Sequence, residues 1–327
     1  MQETINWGII GCGNVTEHKS GPAFSKVEGS KLVAVMRRDP ELAEDYARRH
    51  KVPRWYSNAE ELINDPAVNA VYVATPPSSH PMYAIKAMKA GKPVYVEKPM
   101  AATYQQCQEM LAVSKETGVP LYVAYYRRTL PGFNKIKTLI NDGIIGKPLS
   151  VNIMLIRPAT PAERDRDNPP WRVRPQIAGG GIFYDLASHQ LDYLDYLFGP
   201  IRKAWGSSKN FGGYYEAEDT VVAAMEFDNG VLGSGTWSFV SDEASKRDVM
   251  EIIGTKGRIE FSTFGHEPVL LFNEREFLEF PYINPENIQF NLISNVVNAI
   301  RGTEDGISTG ESAARTNLVM EKIVKEE

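Results

Sequence analysis

The sequence predicts an α/β chain of two domains: a doubly wound parallel sheet, then an α+β domain with a mainly antiparallel sheet. Over the first third, strand-like runs alternate with helical patterns, the signature of parallel strands joined by helices. Beyond residue 126 that alternation gives way to strands joined by turns. With 327 residues, the chain has room for two domains at ~100–200 residues each.

The first domain, taken as 1–125, opens with "INWGII" (5–10), followed by "KLVAVM" (31–36), "AVYVAT" (70–75), "PVYVE" (93–97) and "PLYVAY" (120–125). Helical patterns fill the gaps at 40–50, 58–64, 80–90 and 103–117. In the last of these, Cys107 and Leu111, and Met110 and Val113, recur at helical spacing, and Gly118 with Pro120 stops the helix. The second domain, taken as 126–327, starts with a helix at 133–141. It continues through the runs 149–156, 220–227, 231–239, 248–254 and 258–262, two of them separated by the hairpin signal "DNG" at 228–230. Helical patterns return at 288–301 and 310–325, where they can pack on either domain.

Composition narrows the partners. A net charge of −5 argues against a nucleic-acid surface, which needs a basic footprint. No apolar stretch reaches the ~18 residues of a membrane span, and "MQETINWGII" lacks the pattern of a signal peptide. The two cysteines, Cys12 and Cys107, form no disulfide framework and no zinc-ligand spacing, which suits a reducing, cytoplasmic setting.

Chemistry concentrates at strand ends. In "GIIGCGNVT" (8–16) the first strand runs into Gly11-x-Gly13, with Asn14 and Val15 opening a helix. Glycine lets a backbone turn tightly and approach a pyrophosphate at a helix start, so the stretch reads as a dinucleotide cradle; the competing reading is a plain βα turn. The second strand ends in Arg37 and Arg38, where NAD enzymes usually carry an acid for the ribose hydroxyls. Two guanidinium groups suit a 2′-phosphate, so NADP(H) is preferred, with NAD(H) possible through Asp39. "ATPPSSH" places Thr75 and Pro76 on the ligand-binding edge of the sheet, with His80 opening the next helix. In "VYVEKPMA" (94–101) a buried-type strand ends in Glu97 and Lys98 before Pro99. A lysine there can donate to a carbonyl or alkoxide oxygen, whereas the bland reading is a surface ion pair before a turn.

In the second domain, "AGGGIFYDLASHQLDYLDYLFG" (178–199) carries Asp185, His189 and Asp192 on nearly one helix face. Asp185 can fix the imidazole tautomer and leave His189 to exchange a proton. The further histidines of a metal site are missing from this stretch, so no metal is expected. "RPATPAERDRDNPPWRVRPQ" (157–176) shows no period; Trp171 and Arg172 can cover a polyol, or the stretch is a plain surface loop.

Together these residues resemble the Gfo/Idh/MocA oxidoreductases, a family that includes glucose–fructose oxidoreductase and inositol dehydrogenase. The resemblance spans the chain through "GIIGCG", "ATPPSSH", "EKPMA", "YYRRTLPGF", "IGKPLSV", the GGG-x3-D-x3-H motif and "EIIGTKGRIEF". It implies an N-terminal Rossmann domain and a C-terminal domain with a large open sheet, often used to form homodimers or homotetramers. It implies that Lys98 sits by the nicotinamide and the reacting oxygen, that Glu97 and Arg128 lie near the cofactor, and that Asp185 and His189 hold the substrate and move a proton. Thr16 and Ala187 depart from the family pattern. The implied activity is hydride transfer between an NAD(P) coenzyme and a sugar, polyol or related cyclic compound. A silent dinucleotide-binding regulator and an NAD-dependent glycoside hydrolase are the alternatives.

Overall fold

The computed structural model describes residues 4–325. The chain divides into two units, the first running through Tyr126 and taking in Pro285–Ala314, the second comprising Arg127–Asn284 and the segment from Arg315 onward. The sequence placed a crossing near residue 126 and left open which domain the final helices join; the chain crosses back at 285 and again at 314. The returning segment is amphipathic, and an apolar stripe does not say which sheet it will cover.

The first unit is built on β1 (Ile5–Ile10), β2 (Ser30–Met36), β3 (Arg54–Tyr56), β4 (Ala70–Val73), β5 (Val94–Val96) and β6 (Leu121–Val123). All pairings are parallel and the spatial order is β3-β2-β1-β4-β5-β6. This is the doubly wound order in which connections leave in opposite directions from β1, opening a crevice beyond the carboxyl ends of β1 and β4. The helices form where the pattern placed them, at Pro40–His50, Ala59–Asn64, His80–Lys89 and Tyr104–Thr117. The last begins with a capping box, Thr103 and Gln106, and ends at Gly118 with φ 69°.

Both faces of this sheet are covered, which is why its strands read as unbroken apolar runs. Val71, Val73, Val94, Val96 and Val123 bury one face beneath helices. Tyr72 and Tyr95, in register, stack with centroids 5.1 Å apart on the other face, joined by Trp7 and Phe24.

The second unit carries an eight-stranded sheet: β7 (Pro148–Ile156), β8 (Ile201–Lys209), β9 (Thr220–Phe227), β10 (Leu232–Ser238), β11 (Arg247–Gly254), β12 (Gly257–Phe261), β13 (Val269–Asn273) and β14 (Phe277–Phe280). Its order is β14-β13-β12-β11-β7-β10-β9-β8, antiparallel throughout except for β7 with β10. The "DNG" turn closes the β9–β10 hairpin, with Gly230 at φ 87°. The sheet's inner face carries Val151, Ile153, Met225, Trp237, Met250 and Ile252, all buried. Four strands escaped the sequence reading: β3, β8, β13 and β14. Three of these, β3, β8 and β14, are sheet edges with largely exposed or half-exposed residues.

Candidate active site

The glycine loop meets the next strand through a missing side chain. Gly11 has φ +93°, and a Cβ there would lie 2.6 Å from Thr75 Cγ2 and 3.0 Å from the Thr75 backbone nitrogen. Loop and strand end therefore touch backbone to backbone at the point where the sheet changes winding direction. Gly13 is different. A Cβ there would meet nothing nearer than the Gly11 carbonyl at 3.9 Å, so the space in front of it is open. A cradle that a side chain would fill, at the start of the helix Asn14–His18, fits a diphosphate.

Thr16 takes the third loop position without blocking the turn: it is fully buried, and its hydroxyl donates back to the Gly13 carbonyl at 2.8 Å. The close approach that a third glycine would provide occurs at Gly21, whose Cβ would lie 2.2 Å from the Thr16 carbonyl oxygen. Cys12 faces inward, and burial pushes its thiol up to about 11 against the pull of Arg37.

At the end of β2, Arg37 reaches back over the loop, its Nη1 3.5 Å from the Cys12 carbonyl oxygen. Arg38 is exposed. Asp39 caps the helix Pro40–His50 by accepting from the Leu42 N–H at 3.2 Å.

After β4, Pro76 and Thr75 are half-buried, and the Thr75 hydroxyl accepts from Ser79 at 2.8 Å. His80 is wholly buried. Its Nε2 lies 2.6 Å from the Thr75 carbonyl oxygen, and its Nδ1 lies 3.2 Å from the carbonyl oxygens of both Pro99 and Met100. Burial pushes this imidazole below its ordinary range, while the surrounding carbonyls pull it upward. The ring thus ties the segment after β4 to the segment after β5.

At the tip of β5 the Glu97 side chain turns into the protein. Its Oε1 accepts from the Tyr72 hydroxyl at 2.5 Å and the Gln289 amide at 2.6 Å, and its Oε2 accepts from the Lys98 N–H at 3.2 Å. Tyr72 and Tyr95 are pushed well above their ordinary range, first by burial and then by the charge of Glu97, so both remain neutral donors. Lys98 is half-buried and joined to Pro99 by a cis peptide bond. The strand therefore ends in a buried acid followed by a half-buried lysine.

In the second unit, the helix Ile182–Phe198 is buried along most of its length. The three glycines before it serve packing. Gly179 takes φ +91°, and a Cβ on Gly180 or Gly181 would lie 2.2 Å from Tyr184 Cδ2 or 2.6 Å from the Glu218 carbonyl oxygen. Glu218 accepts from the Gly181 N–H at 2.9 Å at the helix start. Asp185 pairs with Arg172 at 3.2 Å, and Arg172 lies over the Trp171 ring at 4.4 Å. The predicted substrate residues Trp171, Arg172 and Asp185 are thus brought together. His189, one turn further along and only 3% exposed, packs against the edge of Phe264.

Arg128 is buried. Its guanidinium makes a two-point contact with Asp192, at 2.8 and 2.5 Å, and both residues are buried. The loop 157–176 is more regular than its sequence suggested. A capping box at Thr160 and Glu163 starts the turn Pro161–Arg164, and Arg157 clamps Glu163 at 2.7 and 2.8 Å. Among the described residues no group of three or more His, Cys, Asp or Glu side chains is placed to hold a metal ion, and no helix is long and apolar enough to cross a membrane.

Two family models match the chain: the Gfo/Idh/MocA oxidoreductase family with its NAD-binding Rossmann fold over residues 5–125, and a Gfo/Idh/MocA C-terminal domain over residues 133–260. The chain belongs to the Gfo/Idh/MocA oxidoreductases. An oxidoreductase of Formosa agariphila is 39% identical over 98% of both chains. A scyllo-inositol 2-dehydrogenase (NAD(+)) of Bacillus subtilis is 30% identical over 84% of this chain and 79% of its own. In fold, levoglucosan dehydrogenase in complex with NADH and levoglucosan superposes with a TM-score of 0.88 at 23% identity, covering 98% of this chain and 96% of the other. The fold class, the Rossmann unit and the enzyme class expected from the sequence are those of the Gfo/Idh/MocA oxidoreductases.

Some supporting residues of this Gfo/Idh/MocA chain carried no signal in the sequence. Gln289 lies 192 positions from Glu97, yet supplies one of its two side-chain donors. Gln190 bridges Trp237 and Thr263, at 2.7 and 2.9 Å, beside His189. Asp248 accepts from the N–H groups of Thr263, Phe264 and Gly265, at 2.6 to 3.0 Å, fixing the loop that packs on His189. Each is a polar residue at an ordinary-looking position; only the spacing of Asp192 on the motif helix was visible beforehand.

Proposed function

We propose that the protein transfers a hydride between NADP(H), in preference to NAD(H), and a hydroxyl or carbonyl carbon of a sugar, polyol or related cyclic compound. The observation that carries the reading is the carboxyl edge of the parallel sheet. The open space at Gly13, the Gly11–Thr75 contact, Arg37 and Lys98 stand at the ends of β1, β4, β2 and β5. In a sheet of this winding, ligands bind on that edge. Gly11, Gly13, Asn14 and Val15 would hold the diphosphate, with Thr75 and Pro76 alongside. Arg37 and Arg38 favour a 2′-phosphate because Asp39 is engaged as a helix cap.

A bound nicotinamide coenzyme supplies or accepts the hydride. Lys98 donates to the reacting oxygen and stabilises the charge that develops on it. His189, with Asp185 on the same helix, exchanges the proton. Trp171 and Arg172 present a ring and a guanidinium to a polyhydroxylated ligand.

Assembly and setting belong to the same reading. The outer face of the eight-stranded sheet exposes Met154, Trp205, Val222 and Leu232, each more than 40% accessible. These side chains share one face by register, which suits association into a homodimer or homotetramer. Two buried free thiols suit a reducing cytoplasm.

The test is a panel of sugars, polyols and dicarbonyls followed at the nicotinamide absorbance with NADPH and with NADH. Turnover of at least one such compound is expected, and Lys98→Met and His189→Ala each reduce it by ~10²-fold or more. Arg37→Asp weakens NADPH far more than NADH. Coenzyme binding without turnover of any compound, or full activity in both variants, refutes the assignment.

A further inference from the structure

Residues 286–289 return from the far end of the sequence and fasten two parts of the first unit at once. Asn287 Nδ2 donates to the His18 carbonyl at 2.7 Å, and the Gln289 N–H donates to the Lys19 carbonyl at 3.3 Å. Lys26 Nζ donates to Glu286 and to Asn287, both at 2.8 Å. The contacts to His18 and Lys19 grip the end of the helix that starts at the glycine loop, and Lys26 closes the helix that follows it, Ala23–Lys26. The same Gln289 then turns its side chain inward. Its Nε2 donates to Glu97 at 2.6 Å and its Oε1 accepts from the Tyr95 hydroxyl at 2.9 Å. Gln289 is 1% exposed and Glu97 7%.

Glu97 is a buried carboxylate that accepts from two neutral side-chain donors. Tyr72 and Gln289 converge on one oxygen, and the other oxygen takes the Lys98 N–H. A buried anion held by so few donors adopts the orientation that those donors dictate, because losing one leaves charge without solvation. The Glu97 side chain in turn fixes the peptide that precedes the Lys98 side chain.

We propose that Gln289 is a positioning residue for Lys98, acting through Glu97, and that its segment locks the glycine-loop helix and the end of β5 into one body. The proposal rests on the reading of Lys98 as the group at the reacting oxygen. Titratable groups around the acid are Tyr72 on β4, Tyr95 on β5, His80 and Lys98, with Tyr126 beyond Tyr95.

Three variants test it: Gln289→Met, Gln289→Glu, and the exchange Glu97→Gln with Gln289→Glu. Gln289→Met removes both side-chain hydrogen bonds with little change in volume. Gln289→Glu sets two carboxyl groups against each other, a pair that relaxes only when it shares one proton. Each is read by kcat, by NADPH and NADH affinity from nicotinamide fluorescence, and by the rate of reductive methylation at Lys98 resolved by peptide mass spectrometry.

Gln289→Met should lower kcat about tenfold or more and shift the Lys98 labelling rate, while exposed Lys89 labels as in the wild type. Measured against the wild type at the same pH, Gln289→Glu should show its largest loss at pH 8 and recover toward pH 5.5. The exchanged double variant, which restores one amide–carboxylate pair, should exceed Gln289→Glu alone at pH 8. Wild-type protein that turns over no substrate ends the hydride-transfer reading, and the Lys98 labelling still decides the positioning role. Unchanged labelling in Gln289→Met, or a Gln289→Glu loss that is the same at both pH values, overturns the role of Gln289.

Discussion

Arg128 and Asp192, 64 positions apart, face each other as a buried two-point ion pair, with nitrogen–oxygen distances of 2.8 and 2.5 Å. Burial pushes the Asp192 carboxyl up to about 6, against the pull of Arg128. Nearby, Arg315 holds Asp195 in the same two-point way at 2.9 and 2.5 Å. The Arg128 position, assigned by family pattern to the cofactor and substrate, is occupied in this chain by a residue that also anchors the motif helix.

Removing the guanidinium strands the acid. Arg128→Met should cost about 3–5 kcal/mol of stability at pH 8, the range for breaking a buried pair from one side. Without Arg128, Asp192 titrates above about 6 in the folded state and near 3.8 when unfolded. A raised acid favours folding below its unfolded pKa, and that stability is lost as pH rises through the folded one. The loss should therefore be smaller at pH 5 than at pH 8. Urea unfolding at the two pH values measures it; equal losses would show that the pair carries no charge.

The two loop glycines should fail differently. Gly11→Ala forces a side chain into φ +93° and against the Thr75 backbone, so stability should fall by about 1–3 kcal/mol. Gly13→Val has room within the protein, so the melting temperature should stay near wild type while coenzyme binding is lost. Thermal denaturation and nicotinamide fluorescence separate the two effects. A Gly13→Val variant that binds coenzyme normally would place the diphosphate elsewhere.

Glu17, on the glycine-loop helix, is held down to about 2 by hydrogen bonds from Arg49, with His50 adding to the effect. A depressed acid contributes stability above its unfolded pKa, here near 4.5, and that stability is lost as pH falls toward about 2. Both partners are partly exposed, so the contribution is modest and falls with added salt. Glu17→Gln should flatten the acid limb of the melting-temperature profile below pH 5. An unchanged slope would leave the acid response to other carboxylates.

Cys12 should behave as an inert filler of the loop. With its thiol at about 11 and no exposed surface, it has almost no thiolate at neutral pH. Iodoacetamide at pH 7.5 should modify it only after denaturation, as mass spectrometry of the tryptic peptide will show. Rapid labelling of the native protein would mean that the glycine loop opens.

Much of the architecture was legible in the chain. The runs at β1, β2, β4, β5 and β6 are apolar because both faces of their sheet are covered, and the pattern survives in any window that contains them. The motif helix was legible through Asp185, His189 and Asp192 at four- and three-residue spacing. Short edge strands were not, since β3 and β14 bury too little to impose alternation.

The chain by itself determined where chemistry could stand: glycines at a strand end, arginines at the next, Lys98 after a buried run, Asp185 and His189 on one helix. Local backbone geometry and burial write those features into neighbouring residues, so they can be read within a few positions. Tertiary structure alone decided what each charge touches. Glu97 meets Gln289 from 192 positions away, Arg128 meets Asp192, and His80 joins two loop segments through their carbonyls. Hydrogen bonds reach about 3 Å whatever the sequence separation, so the partner of a buried polar group leaves no periodic trace near it in the chain.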